Sequence, residues 1–355
     1  MKDNISVDYL IIGQGIAGSL LAWFLSERGQ KIHLIDNHYI GSSSVVAAGI
    51  INPVTGRRLV KSWMFDELLP IAKRTYQEIE NKLAEHFYQE RTIYRALSDV
   101  KAENTWDERS GDPGYEQYLS SEQPNEQVKK NMQAPFSWGA IHKAAQVDVP
   151  VFLDVIKEYF QNQNAITTSL FNSSELEFPA EGGIRYKHLK AKHIIFCEGQ
   201  QARFNPWFKQ LPFVVSKGEM LEIEIPGAAD MPIIKHKSYI TPLGQNRYWV
   251  GATYEWDELN ESPTEKGKEN LLKNLDRSIN SPYRIIKQNA AIRPTVKDRR
   301  PFLGTHSEHS CLHIFNGLGT KGTSLGPYWG LHFVDHLLDG KDLVKEVDIR
   351  RFEKE

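Results

Sequence analysis

The 355-residue chain has two cysteines, Cys197 and Cys311, which stand far apart and form no C-x-x-C pair. That scarcity excludes a disulfide framework, argues against a zinc site, and suits a cytoplasmic, reducing setting. Long apolar runs are also missing. No stretch of about 18 consecutive apolar residues occurs, so no membrane span is expected. The chain enters its first apolar run almost at once, and no signal peptide is expected before it. Nor is one sign of charge in excess. The 43 lysines and arginines against 45 aspartates and glutamates give no global reason to expect nucleic acid or an anionic membrane. The length suffices for a large core and two domains.

What is present is concentrated at the start. Residues 8–12 are a short apolar run, as in a buried parallel strand. Gly13, Gly15 and Gly18 follow with G-x-G-x-x-G spacing. Such glycines permit a tight turn, backbone approach to a pyrophosphate, and close packing of helix on strand. Residues 17–28 read as the helix, Gly29 as its stop, and 31–35 as a second strand. Asp36 ends that strand about 20 residues after the glycines, where an acid holds a ribose hydroxyl. The helix starting near Gly15, at Ile16 and Ala17, presents free N–H groups and the positive end of its dipole to a phosphate. A dinucleotide is therefore expected. Asp36 disfavours a 2′-phosphate, so NAD or FAD fits better than NADP.

Residues 41–53 are small, and the hydroxyls of Ser43 and Ser44 with Gly49 could let backbone lie against a flat ligand. Arg57, Arg58 and Lys61 then cluster, either as a solvated basic turn or as a rim attracting an anionic substrate. Leu68, Ile71, Ala72, Tyr76, Ile79 and Leu83 predict an amphipathic helix over 65–87. The polar segment 102–134 reads as a long loop, a surface excursion of a second domain bordering the active site. Asp148 is placed near the N-cap of a helix over 151–160. Strands are expected at 166–171, 183–188 and 191–199, the last ending in Glu198 and Gly199. Antiparallel strands are expected within 212–225 and 237–253, and a charged helix over 264–278. The last third repeats the opening pattern: a strand at 311–315, a loop with Gly317, Gly319, Thr320, Lys321 and Gly322, and a helix over 328–338.

Several blocks in order carry a resemblance: the fingerprint at 13–18, Ala47-Ala48-Gly49, Glu198-Gly199, Tyr239 to Pro242, Gly251 to Thr253, Arg293-Pro294 with Asp298 and Pro301, and Gly317 to Gly322. Over most of its length the chain resembles the FAD-dependent amine-oxidising family that includes D-amino-acid oxidase, glycine oxidase, sarcosine oxidase and the oxidase half of MnmC. The resemblance implies FAD, held by the first glycine loop, Asp36, Ser43, Ser44, Ala48, Gly49, Ile50, Glu198, Gly199 and the second glycine loop. Reduced flavin is negative near N1 and O2, and the helix N-terminus after Gly317 suits that charge. Arg293 would hold a substrate carboxylate with its planar fork. Tyr239 matches a substrate-contacting tyrosine, or is core; Lys321 faces the flavin, or solvent.

The resemblance has gaps. Neither Thr320 nor Lys321 is the arginine that glycine oxidase has nearby, and residues 50–58 match poorly. Sarcosine oxidases bind FAD through a cysteine, whereas here none closely follows Arg293-Pro294, so non-covalent FAD is expected. The implied fold is α/β, a Rossmann-like FAD domain (1–85, 146–205 and 289–355) intertwined with an antiparallel substrate domain (86–145 and 206–288). The implied reaction is hydride transfer from the carbon beside an amine to flavin N5, followed by imine hydrolysis, with dioxygen or another acceptor reoxidising the flavin. Two alternatives stay open: oxidation of a modified tRNA nucleotide, as in MnmC, and a flavin-binding protein without catalysis.

Overall fold

The computed structural model describes residues 5–38, 41–228 and 231–353. Its first sheet is built on strand Ile5–Ile12, which pairs in parallel with Leu189–Phe196 on one side and Ile32–Asp36 on the other. Ile166–Thr168 extends the sheet beyond Ile32–Asp36, and Leu312–Asn316 joins Leu189–Phe196, both parallel. Phe302–Thr305, Ile184–Tyr186 and Leu176–Glu177 add antiparallel pieces. Because strand side chains alternate, Tyr9 and Ile11 enter one core while Leu10 and Ile12 enter another. Burial on both faces explains why these strands read as unbroken apolar runs. All the parallel strands point the same way, so Ile12, Asp36, Phe196 and Asn316 finish on one edge.

Among the described residues the second sheet has nine strands. Its order is Arg284–Arg293, Ser216–Glu224, Arg247–Gly251, Tyr239–Gly244, Ile233–Lys235, Tyr88–Leu97, Ser137–Val147 and Ile50–Ile51, with Leu119–Ser120 also on Ser137–Val147. Every pairing is antiparallel except that of Ile233–Lys235 with Tyr88–Leu97. Leu221, Ile223, Ile234, Ile240 and Val250 pack beneath helix Glu265–Asp276 through Leu271 and Leu275.

Two expectations need correction. The segment 102–134 is no long loop; it contributes helices Val100–Ser110 and Glu126–Asn131 and the short strand Leu119–Ser120. Asp99 and Asn125 cap those helices through their side chains, and Trp106, Tyr118 and Val128 are buried anchors among the polar residues. The final helix runs Gly322–Asp339, starting six residues earlier than position 328, with Pro327 inside it. Pro327 has no N–H for the Thr323 carbonyl, and the buried Tyr76 hydroxyl donates to that carbonyl instead, at 2.9 Å. Strands Ser137–Val147 and Arg284–Arg293, which contain the expected domain breaks at 145/146 and 288/289, are paired along their lengths. Among the described residues no helix is long and apolar enough to cross a membrane, and no cluster of metal-binding side chains occurs.

Candidate active site

A cleft of about 1880 Å³ follows the carboxyl edge of the parallel strands and continues onto the second sheet. Ligands bind at this edge in open α/β sheets because turns and helix N-termini converge there. Gly13, Gly15, Ile16, Ala17, Asp36, Ser43, Ser44, Ala48, Gly49, Ile50, Glu198, Gly199, Gly317, Gly319, Thr320, Lys321 and Gly322 line the cleft, with Tyr239 and Arg293 farther along. Gly18 is the exception. A β-carbon there would lie 1.8 Å from the Gly13 carbonyl oxygen, so Gly18 lets helix meet strand and does not face the cleft.

The residues present fit an elongated, anionic dinucleotide. Helices Ile16–Glu27 and Gly322–Asp339 begin at the cleft, and neither N-cap residue caps with its side chain. Asp99, Asn125, Asp148 and Thr264 do cap theirs. Uncapped N-termini leave donors and positive dipole for a ligand; Ser44 Oγ accepts from the Ile16 N–H at 3.2 Å. The Asp36 carboxylate is oriented by N–H donation from Gln14 and His38, at 2.8 and 2.7 Å. The Thr295 hydroxyl lines the cleft beside Gly319, buried and without a hydrogen-bond partner. Burial pushes the Glu198 carboxyl up to about 7, against the opposing donation from Asn205 Nδ2 at 2.7 Å. Cys197 also lines the cleft, its thiol pushed well up by burial.

On the second sheet the cleft turns cationic. Arg293 donates from Nη1 to the Lys217 carbonyl at 3.2 Å and from Nη2 to the Thr253 carbonyl at 3.1 Å, and stacks 4.4 Å from the Tyr254 ring centroid. Burial lowers its pKa, and among the described residues no carboxylate pairs with it. Gly218 makes the room, since a β-carbon there would sit 1.9 Å from Nη2. Tyr239 accepts from Asn52 Nδ2 at 3.0 Å. Lys321 faces inward, donating to Ser62 Oγ at 2.9 Å, and Ser62 Oγ donates to the Asn52 carbonyl at 2.8 Å. Lys321, Ser62, Asn52 and Tyr239 thus form one connected network. Burial, with Arg299 and Arg300 nearby, lowers the Lys321 pKa.

The basic cluster divides. Arg57 and Arg58 are exposed in the turn between Val54–Thr55 and Val60–Lys61 and do not line the cleft. Lys61 does, but it is paired with Asp66. Residues overlooked in the sequence also line the wall: Asn52, Ser62, Lys235 and Tyr254. Tyr254 directly follows the Gly251 to Thr253 block, and Asn52 and Ser62 lie in the small-residue stretch and the turn after it. Lys235 had no local signal.

The model of the DAO family, FAD dependent oxidoreductase, matches residues 8–336. Glycine oxidase of Bacillus subtilis (strain 168) is 23% identical over 364 residues, covering 93% of this chain and 92% of its own length. The tRNA 5-methylaminomethyl-2-thiouridine biosynthesis bifunctional protein MnmC of Idiomarina loihiensis is 21% identical over 347 residues, 90% of this chain but 54% of its own length. The crystal structure of glycine oxidase from Geobacillus kaustophilus superposes with a TM-score of 0.76 at 18% identity, covering 96% of each chain. With a family match across most of its length, a fold of the glycine oxidase kind and a cleft built for a dinucleotide, the chain belongs to the DAO family of FAD-dependent oxidoreductases.

Proposed function

We propose that this enzyme oxidises the C–N bond of a small amine or amino acid bearing a carboxylate, with FAD bound non-covalently. The observation carrying this reading is Arg293, a charge held in the cleft by two carbonyls and the Tyr254 ring, with no acid paired to it among the described residues. Its free face suits a carboxylate, because a guanidinium fork gives two charge-assisted hydrogen bonds. Bound FAD supplies the two-electron acceptor. The chain positions the substrate and sets its protonation. The positive field of Arg293, Lys235 and Lys321 favours a neutral amine, the form whose lone pair assists loss of a hydride. Tyr239, its phenol kept protonated by burial and held by Asn52, closes the wall beside it. The two cysteines are free, consistent with a cytoplasmic protein.

Anaerobic mixing of the purified yellow protein with glycine, sarcosine, proline and D-amino acids tests the reading. Bleaching of the flavin band near ~450 nm by one of them is expected; a spectrum unchanged by every member would count against it. Oxidation of a tRNA nucleotide is less favoured, since Arg57 and Arg58 stand outside the cleft wall.

A further inference from the structure

Three neighbouring strands place Arg95, Lys235 and Tyr239 in one row across the second sheet. Arg95 is the register partner of Lys235 in the parallel pair, and Lys235 is that of Tyr239 in the antiparallel pair. Register partners share a face, and Lys235 and Tyr239 line the cleft. Two like charges directly opposite on adjacent strands destabilise a sheet. Here both are half-buried as well. Several other cations of the same sheet are neutralised by acids: Arg247 and Lys287 share Glu222, Arg284 pairs with Glu224, and the fully buried Lys217 lies beside Glu219. Arg95 and Lys235 have no such acid among the described residues. Arg95 Nη1 donates to the Gly56 carbonyl at 2.8 Å. Lys235 Nζ makes a 3.4 Å contact with the Lys237 carbonyl and stands 4.5 Å from the Tyr239 ring centroid. Burial, with Arg95 adding to it, lowers the Lys235 pKa to about 8.

We infer that Lys235, with Arg95 adding its charge from behind the cleft wall, forms a second anion subsite, on the other side of Tyr239 from Arg293, and that the substrate is an amine carrying two anionic groups, of the dicarboxylic class. This rests on the reading of Arg293 as the holder of the first carboxylate. In the sheet order, the strands bearing Tyr239 and Gly251 lie between Lys235 and the pair Ser216–Glu224 and Arg284–Arg293. Arg293 leans back toward them, reaching Thr253 just beyond Gly251, while Lys235 leans forward over Tyr239. Their charged ends are thus about two strand spacings apart, on the order of 10 Å. That gap admits two carboxylates joined by a short chain containing the nitrogen.

The test is calorimetric binding of glutarate and of its monoamide, equal in length with one charge fewer, to the FAD-loaded enzyme. Glutarate is expected to bind at least ~10-fold more tightly, as for an added charge-assisted contact. Lys235→Met should bring the two within ~2-fold, while Lys235→Arg keeps the preference and Arg293→Met weakens both ligands. Because Lys235→Met relieves a like-charge pair, its thermal midpoint should not fall. Equal affinities in the unmodified enzyme, or a preference that survives Lys235→Met, would overturn the subsite. So would a Lys235→Met effect on tRNA binding with none on glutarate, which would assign the charge to nucleic-acid phosphate. Flavin bleaching by a monocarboxylic amine without glutarate preference would remove only this subsite. Bleaching by no carboxylate-bearing amine would remove the Arg293 reading and this one with it.

Discussion

At the scale of single residues, the cleft carries Arg293 and Lys235 with no acid paired to either among the described residues. Gly218→Ala would place a carbon 1.9 Å from Arg293 Nη2, so the guanidinium must leave its two carbonyls. We expect kcat/KM for a carboxylate-bearing amine to fall about 100-fold, as for loss of two charge-assisted bonds, with the flavin spectrum retained. Unchanged kinetics would show that the guanidinium does not need this position. Lys235 gives a pH signature. It is a cation below about 8 and neutral above, so the preference for a second anionic group should fade as pH rises through that value. Arg95 remains charged there, and the Tyr239 phenol, raised by burial, remains neutral. Ligand binding measured on both sides of this midpoint should show the loss, and Lys235→Arg should remove it.

At the scale of elements, the two helices that begin at the cleft are held in different ways. Helix Ile16–Glu27 meets its strand through Gly18, with no space for a β-carbon against Gly13. Gly18→Ala should therefore yield colourless protein, or protein that loses FAD on gel filtration. Helix Gly322–Asp339 is held at its first turn by the Tyr76 hydroxyl, which meets the carbonyl that Pro327 leaves without a donor. Tyr76→Phe should cost about 1–3 kcal/mol, the usual penalty for an orphaned buried carbonyl. Urea denaturation measures it; an unchanged midpoint would mean that another donor serves Thr323.

At the scale of the whole molecule, buried groups in the parallel sheet and its edge set opposite pH limits. His33 and His313 are buried and held neutral, with pKa lowered to about 4 and about 3. Their folded values lie below the unfolded one, so the native state binds fewer protons, and stability falls as pH drops below about 6.5. Glu198 is the reverse. Its folded value of about 7 exceeds 4.5, so the native state keeps a proton and stability falls as pH rises from about 4.5 to 7. Glu198→Gln should remove that second slope, raising the denaturation midpoint near neutrality relative to its value at pH ~5. Parallel shifts at both pH values would show that Glu198 does not titrate in this range.

What the sequence determined by itself is local. Residues 8–36 announce strand, glycine turn, helix, strand and acid because each depends on spacing within one or two turns of chain. The second glycine loop is legible for the same reason, and Arg293-Pro294 is legible through the resemblance that it helps to carry. Local signals misled where a long-range partner intervened: Pro327 reads as a helix breaker until Tyr76, 247 residues away, meets its freed carbonyl. Segment 102–134 reads as loop because its charges outnumber Trp106, Tyr118 and Val128, which matter only when other elements bury them. The contacts around Tyr239 and Lys321 were decided by tertiary structure. Asn52 reaches Tyr239 across 187 residues and Lys321 reaches Ser62 across 259. Arg95 faces Lys235 because one parallel pairing sets their strands in register. No periodicity encodes such meetings; strand register and packing create them, since burial rewards the whole sheet and not any single pair.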